Sequence, residues 1–232
     1  MNLTWSYIDD FLSLFYPRLC YACNRALIKE EECICTFCNY HLPQTHFYKE
    51  KENALSQIFW GRIPIETACT LFYFHKKGKV QNLIHQFKYK GKKDIGIYLG
   101  KMLGDQLNKS MHFDSVDMIV PVPLHREKQF KRGFNQSEII ARGIAKIFNK
   151  SIVSDNLVRV TKSGTQTRKA RFKRWENVET VFKIHHPEEF EHKNILLIDD
   201  VITTGATLES CGQKLLAVKG VKLWIATLAI AS

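Results

Sequence analysis

A segment near the carboxyl end of the chain combines carboxylates, hydroxyls and a glycine in an order that suits a phosphorylated sugar. Four apolar residues at 195–198 are typical of a buried strand, and Asp199 and Asp200 follow them directly. Threonine hydroxyls and free N–H groups at a helix N-terminus bind phosphate, and glycine lets the backbone approach it closely. The two carboxylates would repel a phosphate but accept hydrogen bonds from vicinal hydroxyls. Taken separately, the two carboxylates could simply end a strand, and the threonines and glycine could simply cap a helix. Their occurrence together, in this order, predicts a ribose 5-phosphate site. The predicted phosphate ligands are Thr203, Thr204, Gly205, Ala206 and Thr207.

A second group with chemical potential is formed by cysteines near the amino end. Two CxxC pairs are separated by 11 residues, and each pair can aim two thiolates at one Zn²⁺ about 2.3 Å away. Cys33 and His41 are alternative ligands, but neither preserves the paired geometry. Four thiolates leave no open coordination position, so such a site is structural rather than catalytic. The predicted zinc ligands are Cys20, Cys23, Cys35 and Cys38.

Regular alternation of apolar runs and helical patterns predicts the elements that position the carboxylates. Strands are predicted at 71–74, 118–122, 195–198 and 221–230, with a short one at 156–160. Helices are predicted from the apolar faces at 80–87, 95–107, 139–147 and 208–216. Strands separated by helical patterns predict an α/β fold with a mainly parallel sheet and helices on both faces. Ligands of such sheets bind at the carboxyl ends of the strands, where Asp199 and Asp200 are expected.

Composition divides the chain into three predicted parts. Residues 1–46 hold an amphipathic helix, with Trp5, Ile8 and Phe11 on one face, and the four-cysteine segment. A bound metal would let this short segment fold without a large core. Residues 47–69 are a mixed stretch and are expected to form a linker, and residues 70–232 form the larger domain.

The charge balance favours a phosphate-rich partner. The 232 residues include 34 Lys and Arg against 23 Asp and Glu, a formal net charge of +11. Such a balance suits either nucleic acid or a phosphorylated small molecule. An apolar content of 45% is typical of globular proteins and excludes a disordered or collagen-like chain. Charges or turn residues interrupt every apolar run, and no basic signal-peptide start is present, so we expect a cytoplasmic protein without a membrane partner.

The carboxylate segment resembles the phosphoribosyl-pyrophosphate (PRPP) signature of the type I phosphoribosyltransferases. Three other blocks resemble the ComF family, whose members pair a small zinc-binding segment with a phosphoribosyltransferase-like domain. They are YPRLC at 16–20, PVPLH at 121–125 with RGFNQ at 132–136, and a third block that includes Gln166, Thr167, Arg174, Asn177, Val178 and Phe182. The resemblance therefore covers nearly the whole chain in the expected order.

This resemblance implies an activity and roles for individual residues. Pyrophosphate of Mg-PRPP would be displaced by a nitrogen nucleophile, with Asp199 and Asp200 holding the ribose hydroxyls and Mg²⁺ bridging pyrophosphate and ribose oxygens. Positioning and electrostatics would supply most of the catalysis. The acceptor is not readable from these blocks. The resemblance places pyrophosphate at Pro123, Leu124 and His125, with Arg132 as the favoured cationic donor beside Arg126 and Lys128.

Two other functions remain open at this stage. ComF members are associated with DNA uptake, and the basic run at 168–174, with Phe172 and Trp175 for stacking, suits single-stranded DNA. In that reading the phosphoribosyltransferase fold is a scaffold. The third possibility is a PRPP or nucleotide sensor without turnover.

His125 is interpreted either as a proton donor to the leaving group or as an ordinary loop residue.

Overall fold

The computed structural model of the protein describes residues 15–160 and 181–231. The predicted helix before Phe15, the basic run at 168–174 and most of the third family block therefore lie outside the described residues.

A five-stranded parallel sheet forms the centre of the described structure. Its strand order is β1-β7-β6-β2-β3, and all neighbouring pairs are parallel. A separate antiparallel hairpin is formed by β4 and β5. The strands are β1 Thr67–Phe74, β2 Met118–Pro121, β3 Ser151–Ile152, β4 Leu157–Arg159, β5 Phe182–Ile184, β6 Asn194–Ile202 and β7 Lys222–Ala231.

Helices pack on both faces of this sheet, as predicted. In the described ranges they are α1 Thr36–His41, α2 Ala54–Gln57, α3 Lys79–Tyr89, α4 Lys93–Asn108, α5 Arg126–Arg132, α6 Gln136–Phe148 and α7 Ala206–Leu216. Successive side chains of a strand point to opposite faces, and β6 shows this directly. Leu196 and Ile198 join a core with α3, α4 and α6, whereas Ile195 and Leu197 join a second core with α2 and α7. The predicted α/β architecture is confirmed.

Close packing of α4 against α6 requires glycine at two positions. A Cβ atom on Gly100 would lie 2.4 Å from the carbonyl oxygen of Ile140. One on Gly143 would lie 2.4 Å from the carbonyl oxygen of Ile97. Only glycine permits this close approach of the two helix backbones. The contact fixes the position of the N-terminus of α6 above the sheet.

Residues 47–69, which the composition suggests as a linker, contain folded structure. Asn53 forms a capping box with Ser56 at the start of α2, and its amide also donates to the carbonyl oxygen of Ala68 at 2.8 Å. Leu55 and Phe59 are fully buried in the α7-side core. Strand β1 begins inside this stretch, at Thr67. The stretch therefore packs, together with α7, on one face of the sheet.

Strand β6 is longer than its apolar run. It pairs with β2 only as far as Ile198, opposite Pro121, but it pairs with β7 as far as Ile202. Asp199 and Asp200 consequently lie on a strand that extends beyond the end of its neighbour, at the carboxyl edge of the sheet.

Candidate active site

The two carboxylates at the end of β6 contact different helices. The Ser137 hydroxyl, in the first turn of α6, donates to Asp199 Oδ1 at 3.1 Å, and the Asp200 N–H donates to the same oxygen at 2.8 Å. Lys88, in the last turn of α3, pairs with Asp200, with Nζ and Oδ2 2.7 Å apart. Both partners of this ion pair are largely buried, with side chains 18% and 13% exposed. The carboxylates are therefore held in place from two sides.

The environment of the pair gives Asp199 an unusual protonation behaviour. Burial away from water raises the pKa of Asp199 to about 7, and the neighbouring charge of Asp200 acts in the same direction. Hydrogen bonds from the Asp200 N–H and the Ser137 hydroxyl, together with the charge of Lys88, offset part of this rise. Near neutral pH, Asp199 exists in both protonation states, so it can either accept from or donate to a sugar hydroxyl.

The predicted phosphate loop connects β6 to α7. Gly205 precedes the first helical residue, Ala206, and has a left-handed backbone with φ of +77°. Thr203, Thr204 and Thr207 are exposed. A cavity of about 50 Å³ is bordered by Asp199 and residues 201–208. Hydroxyls and the N-terminus of α7 thus line one small space beside a carboxylate, an arrangement suited to a phosphate joined to a sugar.

The PVPLH block follows β2 at the same edge of the sheet. Pro123 and Leu124 line a cavity of about 470 Å³ together with Asn135 and residues of the β4–β5 hairpin. Nδ1 of His125 accepts a hydrogen bond from the Glu127 N–H at 3.3 Å, so this side chain caps the start of α5. This capping contact favours the interpretation of His125 as a structural residue over that of a proton donor.

Arg132 is the last residue of α5, the helix that follows the PVPLH block. Its Nη1 donates to Gln136 Oε1 at 2.7 Å. Its guanidinium carbon lies 5.4 Å from the ring centroid of Tyr89. Tyr89 follows Lys88, and Gln136 precedes Ser137, so Arg132 bridges the two helices that contact the carboxylates.

The structure thus brings α3, α5 and α6 around the end of β6, and it adds residues that sequence reasoning missed. Lys88 and Ser137 contact the carboxylates, but neither belongs to a motif that signals such a role. Ser137 directly follows the RGFNQ block, which is the one local signal that indicates it. The binding roles of the sequence-derived residues stay predictions.

The four predicted cysteines converge on one point. Their sulfur atoms all lie within 4.8 Å of one another, and all four are free thiols. Cys33 lies apart and contacts Asp94, with Sγ and Oδ2 4.0 Å apart, while His41 Nδ1 faces the carbonyl oxygen of Phe37 at 2.8 Å. The two CxxC pairs therefore form a group that can hold a metal ion, with both alternative ligands outside it. Four thiolates in this arrangement fit a structural zinc ion.

The four-cysteine segment packs directly on the helices of the larger domain. Asn82 and Gln86 of α3 donate to the carbonyl oxygens of Ala22 and Tyr21, both at 3.3 Å. The Tyr21 hydroxyl donates to Asp94 Oδ2 of α4 at 3.0 Å. Cys20, Cys35 and Cys38 also share one core with residues of the sheet. Within 15–160 and 181–231, no helix combines the length and apolar character needed to cross a membrane.

The described residues form an α/β protein with an attached four-cysteine segment. One partially similar structure is the allosteric regulatory enzyme of purine biosynthesis, with a TM-score of 0.42 and 19% identity over 61% of this chain and 29% of that one. Another is an adenine phosphoribosyltransferase, with a TM-score of 0.37 and 16% identity over 62% of this chain and 75% of that one. This chain therefore covers less than a third of the first structure's length.

Sequence relatives bear on the family resemblance. No family model matches the chain. It is 26% identical to DNA utilization protein YhgH of Escherichia coli K12, over 92% of this chain and 91% of that one. It is 27% identical to Competence protein F of Haemophilus influenzae, over 61% and 65%, and 25% identical to Competence protein ComFC of Bacillus subtilis, over 93% and 84%. These relatives support the resemblance of this chain to the ComF family.

Proposed function

We propose that the protein binds Mg-PRPP and transfers its phosphoribosyl group to a nitrogen acceptor. The observation that carries this proposal is the continuous arrangement at the end of β6. Asp199 and Asp200 lie beyond the end of β2, and Asp199 borders the same small cavity as the exposed threonine loop at the N-terminus of α7. Hydroxyl acceptors and phosphate donors are therefore adjacent, as a ribose 5-phosphate requires.

In this proposal each part of the site has one task. Asp199 and Asp200 hold the ribose hydroxyls, and residues 203–207 hold the 5-phosphate. Pyrophosphate is assigned to the region of Pro123 and Leu124, with Arg132 as its cationic donor. The bond from C1 to pyrophosphate breaks, a bond from C1 to the acceptor nitrogen forms, and the acceptor loses a proton. Mg²⁺, when bound with PRPP, neutralises part of the pyrophosphate charge.

The four-cysteine group is proposed to hold one structural Zn²⁺. Its ligands share a core with α3 and α4, so the metal would stabilise the position of α3, which carries Lys88 toward Asp200. Four thiolates offer no open position for substrate, which supports a structural role.

Calorimetric titration with Mg-PRPP tests the main proposal. The wild type should bind, and the Asp199→Asn, Asp200→Asn double variant should lose binding while it stays folded. A matched control is Asp105→Asn with Asp114→Asn, because it removes two exposed carboxylates elsewhere on the surface. Equal affinity of the wild type and the double Asn variant at 199 and 200 would refute the assignment of the carboxylates. Absence of binding by folded, metal-loaded wild type would refute the PRPP proposal itself.

A second candidate function is the handling of single-stranded DNA, and one relative carries the name DNA utilization protein. A specific cluster favours it. Phe37 is 46% exposed and stacks on His41 with ring centroids 4.1 Å apart. Lys79 Nζ and the Arg25 guanidinium carbon lie 4.9 and 5.2 Å from the Phe37 ring, and neighbouring Tyr40 is 84% exposed. Exposed rings that stack on bases, next to cations that neutralise phosphates, are typical of single-strand binding surfaces.

Fluorescence anisotropy with labelled oligothymidylate tests this second function. Affinity should fall steeply with salt and should be weakened by Phe37→Ala and Tyr40→Ala. Trp60→Ala is the matched control, because Trp60 is also exposed but lies in the stretch that packs on the opposite face of the sheet. Equal losses in all three variants, or binding that ignores salt, would count against this surface.

A further inference from the structure

The phosphate loop is supported from below by the stretch that the composition suggests as a linker. Ile58, Phe59 and Arg62 lie under Gly205, where a Cβ atom would meet them at 3.2, 3.3 and 3.4 Å. Phe59 is fully buried in the α7-side core, so this support is fixed to the rest of the domain.

We infer that Arg62 is a positioning residue that holds the Thr203–Thr207 loop in its phosphate-binding shape. This inference rests on the proposed function, because it assigns Arg62 to the same 5-phosphate site. Nη1 of Arg62 donates to the carbonyl oxygen of Thr204 at 2.8 Å and to that of Ile58 at 3.1 Å. One guanidinium therefore joins the middle of the loop to the folded stretch beneath it.

The same guanidinium also pairs with Glu209 in the first turn of α7. Arg62 Nε donates to Glu209 Oε2 at 3.0 Å, and Nη2 contacts the same oxygen. A carboxylate in the first turn suits a helix N-terminus by itself, but it repels a phosphate dianion that binds there. Arg62 offsets this repulsion because its positive charge is in direct contact with Glu209.

Two consequences of removing Arg62 can therefore be separated. The loop loses its connection to the stretch at 58–62, and the charge of Glu209 is left without this partner close to the phosphate. Both affect the 5-phosphate end of the ligand. Neither affects the pyrophosphate end, which the proposal places near Pro123 and Arg132.

The experiment compares three probes by calorimetry: Mg-PRPP, ribose 5-phosphate and Mg-pyrophosphate. Arg62→Gln should weaken the first two by a similar factor, about tenfold or more, since it removes a charged hydrogen bond to the loop. Mg-pyrophosphate affinity should stay within about twofold. Arg62→Lys keeps the charge but lacks the planar fork, so it should restore only part of the loss. The double variant Arg62→Gln, Glu209→Gln should also regain part, because the repulsive carboxylate is gone.

The control is Arg18→Gln. Arg18 also donates to backbone carbonyl oxygens, those of Ile28 and Lys29, but it lies in the cysteine segment. This variant should leave all three affinities unchanged.

Amide hydrogen exchange of residues 203–208 in the ligand-free protein gives a readout that does not depend on binding. Exchange should be faster in Arg62→Gln than in the wild type and in Arg18→Gln. Unchanged exchange, unchanged ribose 5-phosphate affinity, or an equal loss for Mg-pyrophosphate would overturn the inference. If the wild type binds neither PRPP nor ribose 5-phosphate, the proposed function fails, and the exchange data still show whether Arg62 holds the loop.

Discussion

Replacing Asp199 by Asn should stabilise the folded protein more at pH 8 than at pH 5. Burial, reinforced by the charge of Asp200, raises the pKa of Asp199 from 3.8 to about 7. Such a group favours folding while it is protonated in the folded state, and this contribution is lost as the pH rises through the folded pKa. An Asn at this position still offers an oxygen to the Ser137 hydroxyl and the Asp200 N–H, but it does not titrate.

The size of the effect follows from these two pKa values. Between pH 5 and pH 7 the unfolded carboxyl is ionised while the folded one is still largely protonated. Stability of the wild type then falls by about 1.4 kcal/mol per pH unit, and the fall levels off above pH 7. The stability difference between Asp199→Asn and the wild type should therefore grow by about 2 to 3 kcal/mol from pH 5 to pH 8.

Urea denaturation at a series of pH values and constant ionic strength measures this difference. Titrating groups that are distant from Asp199 affect both proteins alike and cancel in the comparison. Asp105→Asn serves as the control, because Asp105 is an exposed carboxylate paired with Lys109. A difference between Asp199→Asn and the wild type that does not change with pH would show that Asp199 is ordinary in the folded state, and the electrostatic argument would be refuted.

Three further predictions concern the metal, the loop and the helix packing. Elemental analysis should find about one Zn²⁺ per chain, and Cys38→Ser should lose the metal and lower the denaturation midpoint; metal-free wild type would contradict this. Gly205→Ala strains a backbone with φ of +77° and should cost about 1 kcal/mol or more in urea unfolding and weaken ribose 5-phosphate in calorimetry; unchanged affinity would argue against the loop's role. Gly143→Ala places a methyl group 2.4 Å from the Ile97 carbonyl oxygen and should cost about 1 to 3 kcal/mol in the same unfolding assay, so neutral behaviour would contradict the tight α4–α6 contact.

Local patterns in the sequence account for much of the fold. The apolar run at 195–198 predicts a buried strand because a central strand of a parallel sheet is covered on both faces, and β6 confirms it. The apolar spacing at 80, 83, 84 and 87 predicts a helix, and those four residues are the buried face of α3. By contrast, nothing in the mixed composition of 47–69 indicates α2 or the early start of β1, since short elements held by side-chain caps and burial carry a weak periodic signal.

By itself the sequence determined which groups are present and which are neighbours along the chain: two adjacent carboxylates, a threonine and glycine loop before a helix, and two CxxC pairs. Such features depend on spacings of a few residues, which local backbone geometry converts directly into proximity. Only the tertiary structure decided what surrounds them. Ser137 is 62 residues from Asp199, and Arg62 is 142 residues from Thr204. Contacts over such separations depend on strand order, on register and on the close approach of α4 to α6, and these are properties of the packed whole that no local pattern encodes.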